Sequence, residues 1–417
     1  MDKRFREMAE YAYSSVPLYM RREKTLEKDT AWSEIPILTK EEILKDPDSF
    51  YSCRFLNLDK KREVMQGRTS GSTGKCLELY WHKGDYKNSL LPVWIYRKKY
   101  YGIRPEDRMC YFYTTSNTGY GKRIEYEEEE LGNAKGFSKN NLNEECLQEI
   151  YRRIIDYKPV WMFLQPSMAV VLCDAAQKTG MIIPGLKYIE FSGELLTREV
   201  RDRTEKVFGC MTANHYGCNE MNTIAFECPY GNMHIAENNV YVEIINDGKV
   251  QGQSGTDSDR GTTKEGKIVL TSAANRVMPF IRYDIGDWGR IKKAGCRCGC
   301  KSDVLEITRG RVHDYIKCVD GTKINAYIFV HAVEAVNRDY NGCIRQFQVV
   351  QKDYGRFFVK LAVDEEIYEV GVSQDMLEKE FANNIIHEGM RNVTYEFEFH
   401  QQLFPESGKF LWFSREF

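Results

Sequence analysis

The chain has 417 residues, 42% of them hydrophobic, and its 59 Lys+Arg nearly balance 61 Asp+Glu for a formal net charge of −2. That balance gives no electrostatic reason to expect nucleic acid or an anionic membrane as partner, and the length predicts two or three domains with room for real cores. Thirteen cysteines, an odd number scattered along a chain whose first twenty residues lack the apolar stretch of a secretion signal, argue against a disulfide framework and for reduced thiols in the cytoplasm.

No run of about 18 apolar residues occurs, so no membrane-spanning helix is expected. From residue 3 to 22 the apolar Phe5, Met8, Tyr11 and Tyr13 recur at helical spacing, and Pro17 ends or kinks the run. Thr39 followed by Glu42 reads as a capping box opening a second short helix. Two β-like flanks between Met65 and Trp81 enclose a loop of Gly, Ser and Thr. The acidic residues Glu125, Glu127, Glu128, Glu129 and Glu130 read as a solvated loop or helix face. The centre then alternates: a helix at 143–157, an apolar segment at 160–164, a helix at 167–179 and a strand at 186–191. This is an α/β signature, with mostly parallel strands and covering helices. Segments 240–245 and 266–271 alternate like strands of a more antiparallel region. Beyond Thr308 the texture changes, with strands at 344–351 and 356–363, a helix at 373–386 and a last strand at 393–400. The expected division is therefore 1–308 and 309–417, the latter a small separate α+β domain.

The loop Thr69-Ser70-Gly71-Ser72-Thr73-Gly74-Lys75 can turn amides and hydroxyls toward phosphate oxygens, with the lysine adding charge. It is not a Walker A loop, because Cys76 follows the lysine and the first glycine is not at the required spacing. Downstream stand Tyr216-Gly217-Cys218-Asn219-Glu220, Tyr283-Asp284-Ile285-Gly286-Asp287, Gly310-Arg311-Val312-His313-Asp314 and Ser407-Gly408-Lys409. In kind and in order these five motifs resemble those of the adenylate-forming superfamily of acyl-CoA synthetases, luciferases and peptide-synthetase adenylation domains. Val16-Pro17-Leu18-Tyr19, Ile35-Pro36-Ile37-Leu38-Thr39-Lys40, the turn Ser192-Gly193-Glu194 and the short length are most similar to the phenylacetate-CoA ligase branch and its capsule-biosynthesis relatives.

The resemblance implies a large N-terminal ATP- and acyl-binding domain of mixed sheets with covering helices, followed by a small mobile lid. It also implies ATP and Mg²⁺ as cofactors, and activation of a small-molecule carboxylic acid to an acyl-adenylate before transfer to a thiol. On it, Thr69, Ser70, Gly71, Ser72, Thr73, Gly74 and Lys75 hold the β and γ phosphates, and Tyr216 lies against the adenine. Ser192, Gly193 and Glu194 offer backbone to the adenine edge, Asn219 stands near the α-phosphate, and Gly217 is counted with the ATP-binding residues. Glu220 holds Mg²⁺, Asp287 and Arg311 take the ribose, Asp314 is the hinge, and Lys409 bridges the acid and the α-phosphate. Asn219 stands where Thr or Ser is usual, Asp284 and Ile285 replace Arg and Thr, and Cys76 replaces a frequent proline.

Cys228 and His234, with Cys296, Cys298 and Cys300 further on, gather soft ligands from two hairpin-like segments, which suits tetrahedral Zn²⁺. Free thiols beside an exposed histidine are the alternative. The resemblance implies Cys228, His234, Cys296 and Cys298 as a structural set, since Gly299 follows Cys298; an exchange of Cys300 for Cys296 stays open. The other cysteines read as small buried hydrophobes. Tyr111, Phe112, Tyr113, residues 161–165 and the chain around His215 are candidate acyl-pocket walls, and they fit a core strand equally well. Coenzyme A, a carrier-protein thiol or an amine are the acceptors to weigh, and a homodimer is the oligomer left open. The rivals are an amide-forming ligase or adenylyltransferase of the same fold and a non-catalytic nucleotide-binding interaction protein. Lys409 and Glu220 together argue against the last.

Overall fold

The computed structural model describes residues 2–22, 26, 30–55, 63–68, 77–113, 128–138, 144–246, 249–252, 262–293, 295–309, 315–318, 321, 323–340, 343–364, 366–369, 371–385, 390, 393–403 and 411–417. The phosphate-loop candidates Thr69 to Lys75, together with Cys76, Arg311, Asp314 and Lys409, lie outside them. The chain divides into two units, one of residues 1–105 and 213–312, the other of residues 106–212 and 313–417.

In the first unit Asp2 caps the helix Lys3–Ser15 by accepting the Arg4 amide, and Phe5, Met8, Ala9 and Ala12 form its buried stripe. Pro17 separates it, as its missing N–H requires, from the short helix Pro17–Met20. Thr39 Oγ1 accepts the Glu42 amide at 3.2 Å and opens the helix Lys40–Lys45. The reciprocal half of the expected capping box is replaced, because both oxygens of the Glu42 carboxylate accept Arg22 Nη2 at 2.9 Å, with Nε adding a bond at 3.3 Å, charge-assisted contacts stronger than one to a neutral amide. Eight strands lie side by side, each antiparallel to its neighbour. Their order is Lys249–Gly252, Val240–Asn246, Gly266–Ser272, Tyr283–Lys292, Val304–Arg309, Met233–Ile235, Asn222–Glu227 and Met211–Cys218. Leu38, Ile43 and Phe50 pack into one core with Ile224, Ile235, Val242, Leu270 and Phe280, all fully buried. The helices Lys83–Ser89 and Leu91–Tyr96 were not anticipated, since Pro92 and a run of mixed polarity hide their period.

The second unit carries the α/β alternation. Strands Tyr188–Ser192, Trp161–Leu164, Met109–Tyr113 and Ala134–Ser138 are parallel neighbours, with helices Glu144–Tyr157, Pro166–Thr179 and Arg198–Phe208 between or after them. Ile150, Ile154, Met162, Leu172, Ile189 and Phe191 fill their core. Glu128–Leu131 adds an antiparallel edge strand, which corrects the reading of Glu128, Glu129 and Glu130 as loop or helix. Charge on an edge strand keeps it from pairing with another chain, and here Glu129 accepts the Tyr111 hydroxyl at 2.6 Å while Glu128 pairs with Lys135 at 3.1 Å. Glu125 and Glu127 are outside the described residues.

Within the same unit, Thr394–His400, Arg356–Val363, Ile344–Gln351 and Phe413–Arg415 form a four-stranded sheet. The central pair is antiparallel and the outer pairs are parallel. With the helices Tyr327–Asp339 and Gln374–Asn383 it closes its own core around Phe329, Phe357, Phe381 and Phe413. The architecture is α/β with mixed sheets and covering helices, as expected.

Candidate functional site

The motif at 216–220 sits where the strand Met211–Cys218 turns into Asn222–Glu227. The turn is tight. A β-carbon on Gly217 would lie 2.1 Å from the Asn222 carbonyl oxygen, so only glycine fits. Asn222 itself adopts φ +58, which Asn tolerates better than most residues, and its side chain bonds Ser89 Oγ at 2.5 Å. Asn239 closes the hairpin by donating to the carbonyls of Met221 and Thr223 at 2.9 and 2.7 Å. Trp81 Nε1 donates to the Asn219 carbonyl at 3.1 Å, which fixes the residue found where a hydroxyl is usual.

The motif at 283–287 opens the strand Tyr283–Lys292. Asp284 there accepts the Gly286 amide at 2.9 Å, with Gly286 at φ +87, and pairs with Lys267 at 3.3 Å. A carboxylate in place of the usual Arg thus shapes the bend before Asp287. The two motifs meet at two points: Tyr216 donates its hydroxyl to Asp287 Oδ2 at 2.5 Å, and Tyr283 donates to Glu220 Oε1 at 3.3 Å. Glu220 is buried, whereas Tyr216 and Asp287 are half-buried. The result is a pair of carboxylates, each held by a tyrosine, of which Asp287 stays accessible.

The turn Ser192-Gly193-Glu194 belongs to the second unit and ends the strand Tyr188–Ser192. Gly193 has φ +85, and Glu194 accepts the Ser167 amide at 3.0 Å, a carboxylate at the N-terminus of the helix Pro166–Thr179, where the helix dipole favours it. Of the candidate acyl walls, Phe112, Met162 and Leu164 point into the core. The Tyr111 ring lies over Gly136, where a β-carbon would meet it at 2.7 Å. His215 is buried, its ring 5.9 Å from that of Phe226.

Cys228, His234, Cys296 and Cys298 bring their ligand atoms within 4.8 Å of one another. Cys228 and Cys296 sulfurs are 3.6 Å apart, and Cys298 Sγ is 3.1 Å from His234 Nε2. Tetrahedral bonds of ~2.3 Å to sulfur and ~2.0 Å to nitrogen imply separations of roughly 3.5–3.8 Å, which the Cys228–Cys296 pair meets and the Cys298–His234 pair undershoots by a few tenths of an ångström. His234 Nδ1 lies 3.0 Å from the Ser302 carbonyl, the contact that directs Nε2 to a metal. Three donors surround the sulfurs: Asn232 Nδ2 on Cys296, and the Tyr100 hydroxyl and the Cys300 amide on Cys298, each at 3.3 Å. Cys300 thus contributes its backbone, and its thiol is not among the four. Burial pushes the Cys228 thiol up to about 12, so a bound divalent cation would have to displace its proton. The residues present fit a closed S₃N site.

His234 stands directly opposite Val304 on one side and Phe226 on the other, and Phe226 stands opposite His215. The metal-type cluster and the strand bearing Tyr216 therefore belong to one row of cross-strand neighbours. None of the twelve described cysteines is disulfide-bonded. Cys110, Cys173, Cys210, Cys318 and Cys343 are buried as expected, while Cys53 is exposed and Cys146 and Cys218 are half-buried. Tyr283, Trp81, Asn239, Tyr100 and Asn232 were not singled out from the sequence. Asn232 could have been, since it lies inside the Cys228 to His234 spacing. No helix among the described residues is long and apolar enough to cross a membrane.

No protein-family model matches the chain. Phenylacetate-coenzyme A ligase of Thermus thermophilus is 23% identical over 391 residues, covering 89% of this chain and 81% of that protein. A crystal structure of 2-hydroxyisobutyryl-CoA ligase in the postadenylation state with 2-HIB-AMP superposes with a TM-score of 0.75 at 17% identity, covering 99% of this chain and 88% of the other. The same ligase with 2-HIB-AMP and CoA in the thioesterification state gives 0.61 at 17% identity, covering 99% and 89%. In fold the chain is similar to these CoA ligase structures, and in sequence it is similar to phenylacetate-coenzyme A ligase.

Proposed function

We propose that the chain is an AMP-forming acid–thiol ligase. A carboxylate oxygen of the substrate attacks the α-phosphorus of ATP, the bond to pyrophosphate breaks, and an acyl-adenylate forms. A thiol sulfur, that of coenzyme A, then attacks the acyl carbon and AMP leaves. The observation that carries this reading is the meeting of the two motif segments, with Tyr216 on Asp287 and Tyr283 on Glu220. The reading is supported by an accessible carboxylate of the kind that takes ribose hydroxyls beside an aromatic ring of the kind that stacks on adenine, with a buried carboxylate of the kind that takes a hard cation on the same hairpin as that ring.

In this reading Glu220 would hold Mg²⁺, which would neutralise phosphate charge when bound. Gly217 and Asn219 would face the α-phosphate, and the loop Thr69 to Lys75 would take the outer phosphates. Arg311 would assist Asp287, and Lys409 would bridge the acid and the α-phosphate from a C-terminal domain, residues 309–417, turning about Asp314. Cys228, His234, Cys296 and Cys298 would hold a structural Zn²⁺, because a closed soft-ligand set has no open position for chemistry. The bonding of Glu194 to a helix N-terminus leaves Ser192, Gly193 and Glu194 to offer backbone, as an adenine edge would require. A cytoplasmic setting accords with the free thiols.

The test is acid-dependent exchange of labelled pyrophosphate into ATP over a panel of carboxylates, followed by thioester formation with coenzyme A. Lys409→Ala should lower exchange by ~10²-fold or more while the fold survives, as loss of a charge-stabilising group does. Exchange followed by amide formation with an amine, and none with the thiol, would make the chain an amide ligase. Tight ATP binding with no exchange would make it a binding protein.

A further inference from the structure

Arg282, immediately before Tyr283, is buried at 3% exposure and adopts φ +50, a conformation in which a bulky non-glycine residue is strained. Its Nε donates to both oxygens of Glu243 at 3.2 and 3.1 Å, and Glu243 is fully buried. Nη1 donates to the carbonyls of Ser33, at 3.0 Å, and Ile35. Trp32 Nε1 completes the Glu243 carboxylate at 3.0 Å. The backbone of Arg282 is held at both ends, its amide by Thr271 Oγ1 and its carbonyl by the Leu38 amide, each at 2.9 Å. The Asp284 amide returns to the Leu38 carbonyl at 2.9 Å. Just upstream, Tyr19 donates to the Pro279 carbonyl at 2.8 Å and accepts the Ile281 amide at 3.1 Å. The N-terminal segments Val16 to Tyr19 and Trp32 to Leu38 thus grip the chain at 279–284 from outside the sheet.

Stability alone is a poor account of this arrangement, because a buried ion pair is often no better than two apolar side chains of the same volume. What the pair does supply is a fixed register and twist at the residue that launches Tyr283 and, four residues on, Asp287. A shift of one residue there would turn Tyr283 from Glu220 and Asp287 from Tyr216 to the opposite face, and carboxylates that hold a ligand must be placed to within ~0.5 Å. We infer that Arg282, with Glu243 and Tyr19, is a positioning centre for nucleotide binding, in which the N-terminal segment sets the geometry of Asp287 and Glu220 without touching ligand. This rests on the nucleotide-site reading proposed above.

The test is AMP binding by calorimetry, alongside pyrophosphate exchange, on the full chain carrying the paired change Arg282→Met and Glu243→Leu. Apolar replacement of both partners leaves the Ser33 and Ile35 carbonyls and Trp32 Nε1 without their partners, so the melting temperature should fall while the chain still folds. The AMP Kd and the KM for ATP should each rise ~10-fold, while the KM for the acid stays unchanged. A merely structural role would not split the two KM values. Tyr19→Phe, which removes one hydroxyl and keeps the ring, covers the case in which the double variant does not fold, and should raise the AMP Kd by ~3-fold. Unchanged AMP affinity in a folded double variant, or in Tyr19→Phe if that variant alone folds, overturns the inference and leaves the proposed function standing. No AMP binding by the unsubstituted chain overturns both.

Discussion

His234 of the Cys/His cluster and the Tyr216/Asp287 pair stand on strands of one antiparallel sheet, and the two centres treat their polar atoms in opposite ways. In the cluster every ligand atom faces the other three, the sulfurs collect N–H and O–H donors from Asn232, Tyr100 and Cys300, and the imidazole uses its second nitrogen on a backbone carbonyl. The motif pair instead keeps Asp287 half-buried and accessible. On the function proposed above, the closed centre would serve the fold and the accessible one a ligand, and each assignment can be broken separately.

The largest effect is expected at the cluster. If the cluster holds the proposed zinc, Cys228→Ala should abolish its binding and lower unfolding free energy by more than ~3 kcal/mol, since binding energy at such a site is folding energy. Metal analysis and chemical denaturation check this, and a fully stable, metal-free variant would remove the structural role. Glu220→Gln should act the other way round, with exchange down ~10²-fold and a melting temperature within a few degrees of the unsubstituted chain. A stability loss as large as that of Cys228→Ala would erase the contrast.

Gly217→Ala joins the two classes, because its methyl would strike the Asn222 carbonyl. It should lower stability by about 1–3 kcal/mol and weaken ATP binding together, read by denaturation and calorimetry on one sample.

The smallest effect concerns Glu306, on the strand beside the cluster. Arg290 and then Lys292, both at 2.6 Å, hold it down to about 2 from an ordinary 4.5. A lowered carboxylate stabilises the fold fully above 4.5 and loses that contribution as pH falls through 2. Glu306→Gln should therefore flatten this part of the acid limb by less than ~1 kcal/mol, the pair being partly exposed and screened. An unchanged acid limb would show the pair to contribute nothing.

Much of this was legible in the sequence wherever one period ruled. Segments 344–351 and 356–363 were legible as strands from their period, while the run at 160–164 was legible only as apolar and became the strand Trp161–Leu164 between its parallel neighbours. The resemblance to the adenylate-forming motifs, and no periodicity, grouped Tyr216, Glu220 and Asp287, and the fold joins Tyr216 to Asp287 and Tyr283 to Glu220. What escaped was set by pairing partners that no local period reveals. Glu42 left its capping box for Arg22, and Glu128 to Glu130 became a strand because Ala134–Ser138 offered them a ladder. Phe112 went to the core because its strand alternates there and sends Tyr111 to the other face. Arg282 carries no signal in a single sequence, since a left-handed arginine looks like any other until Glu243 is placed beside it.

The row Val304, His234, Phe226, His215 has a consequence for how this protein can change. Side-chain substitutions along it are local events, whereas adding or removing one residue in Asn222–Glu227 would invert the facing of every later position in that strand relative to both neighbours. His234 would leave its thiolates in the same step that displaced the Tyr216 strand. Chain length in this hairpin is therefore more tightly constrained than composition. Engineered insertions belong in the turn at Pro229 to Gly231, where Tyr230 is already exposed, and not in the strands on either side.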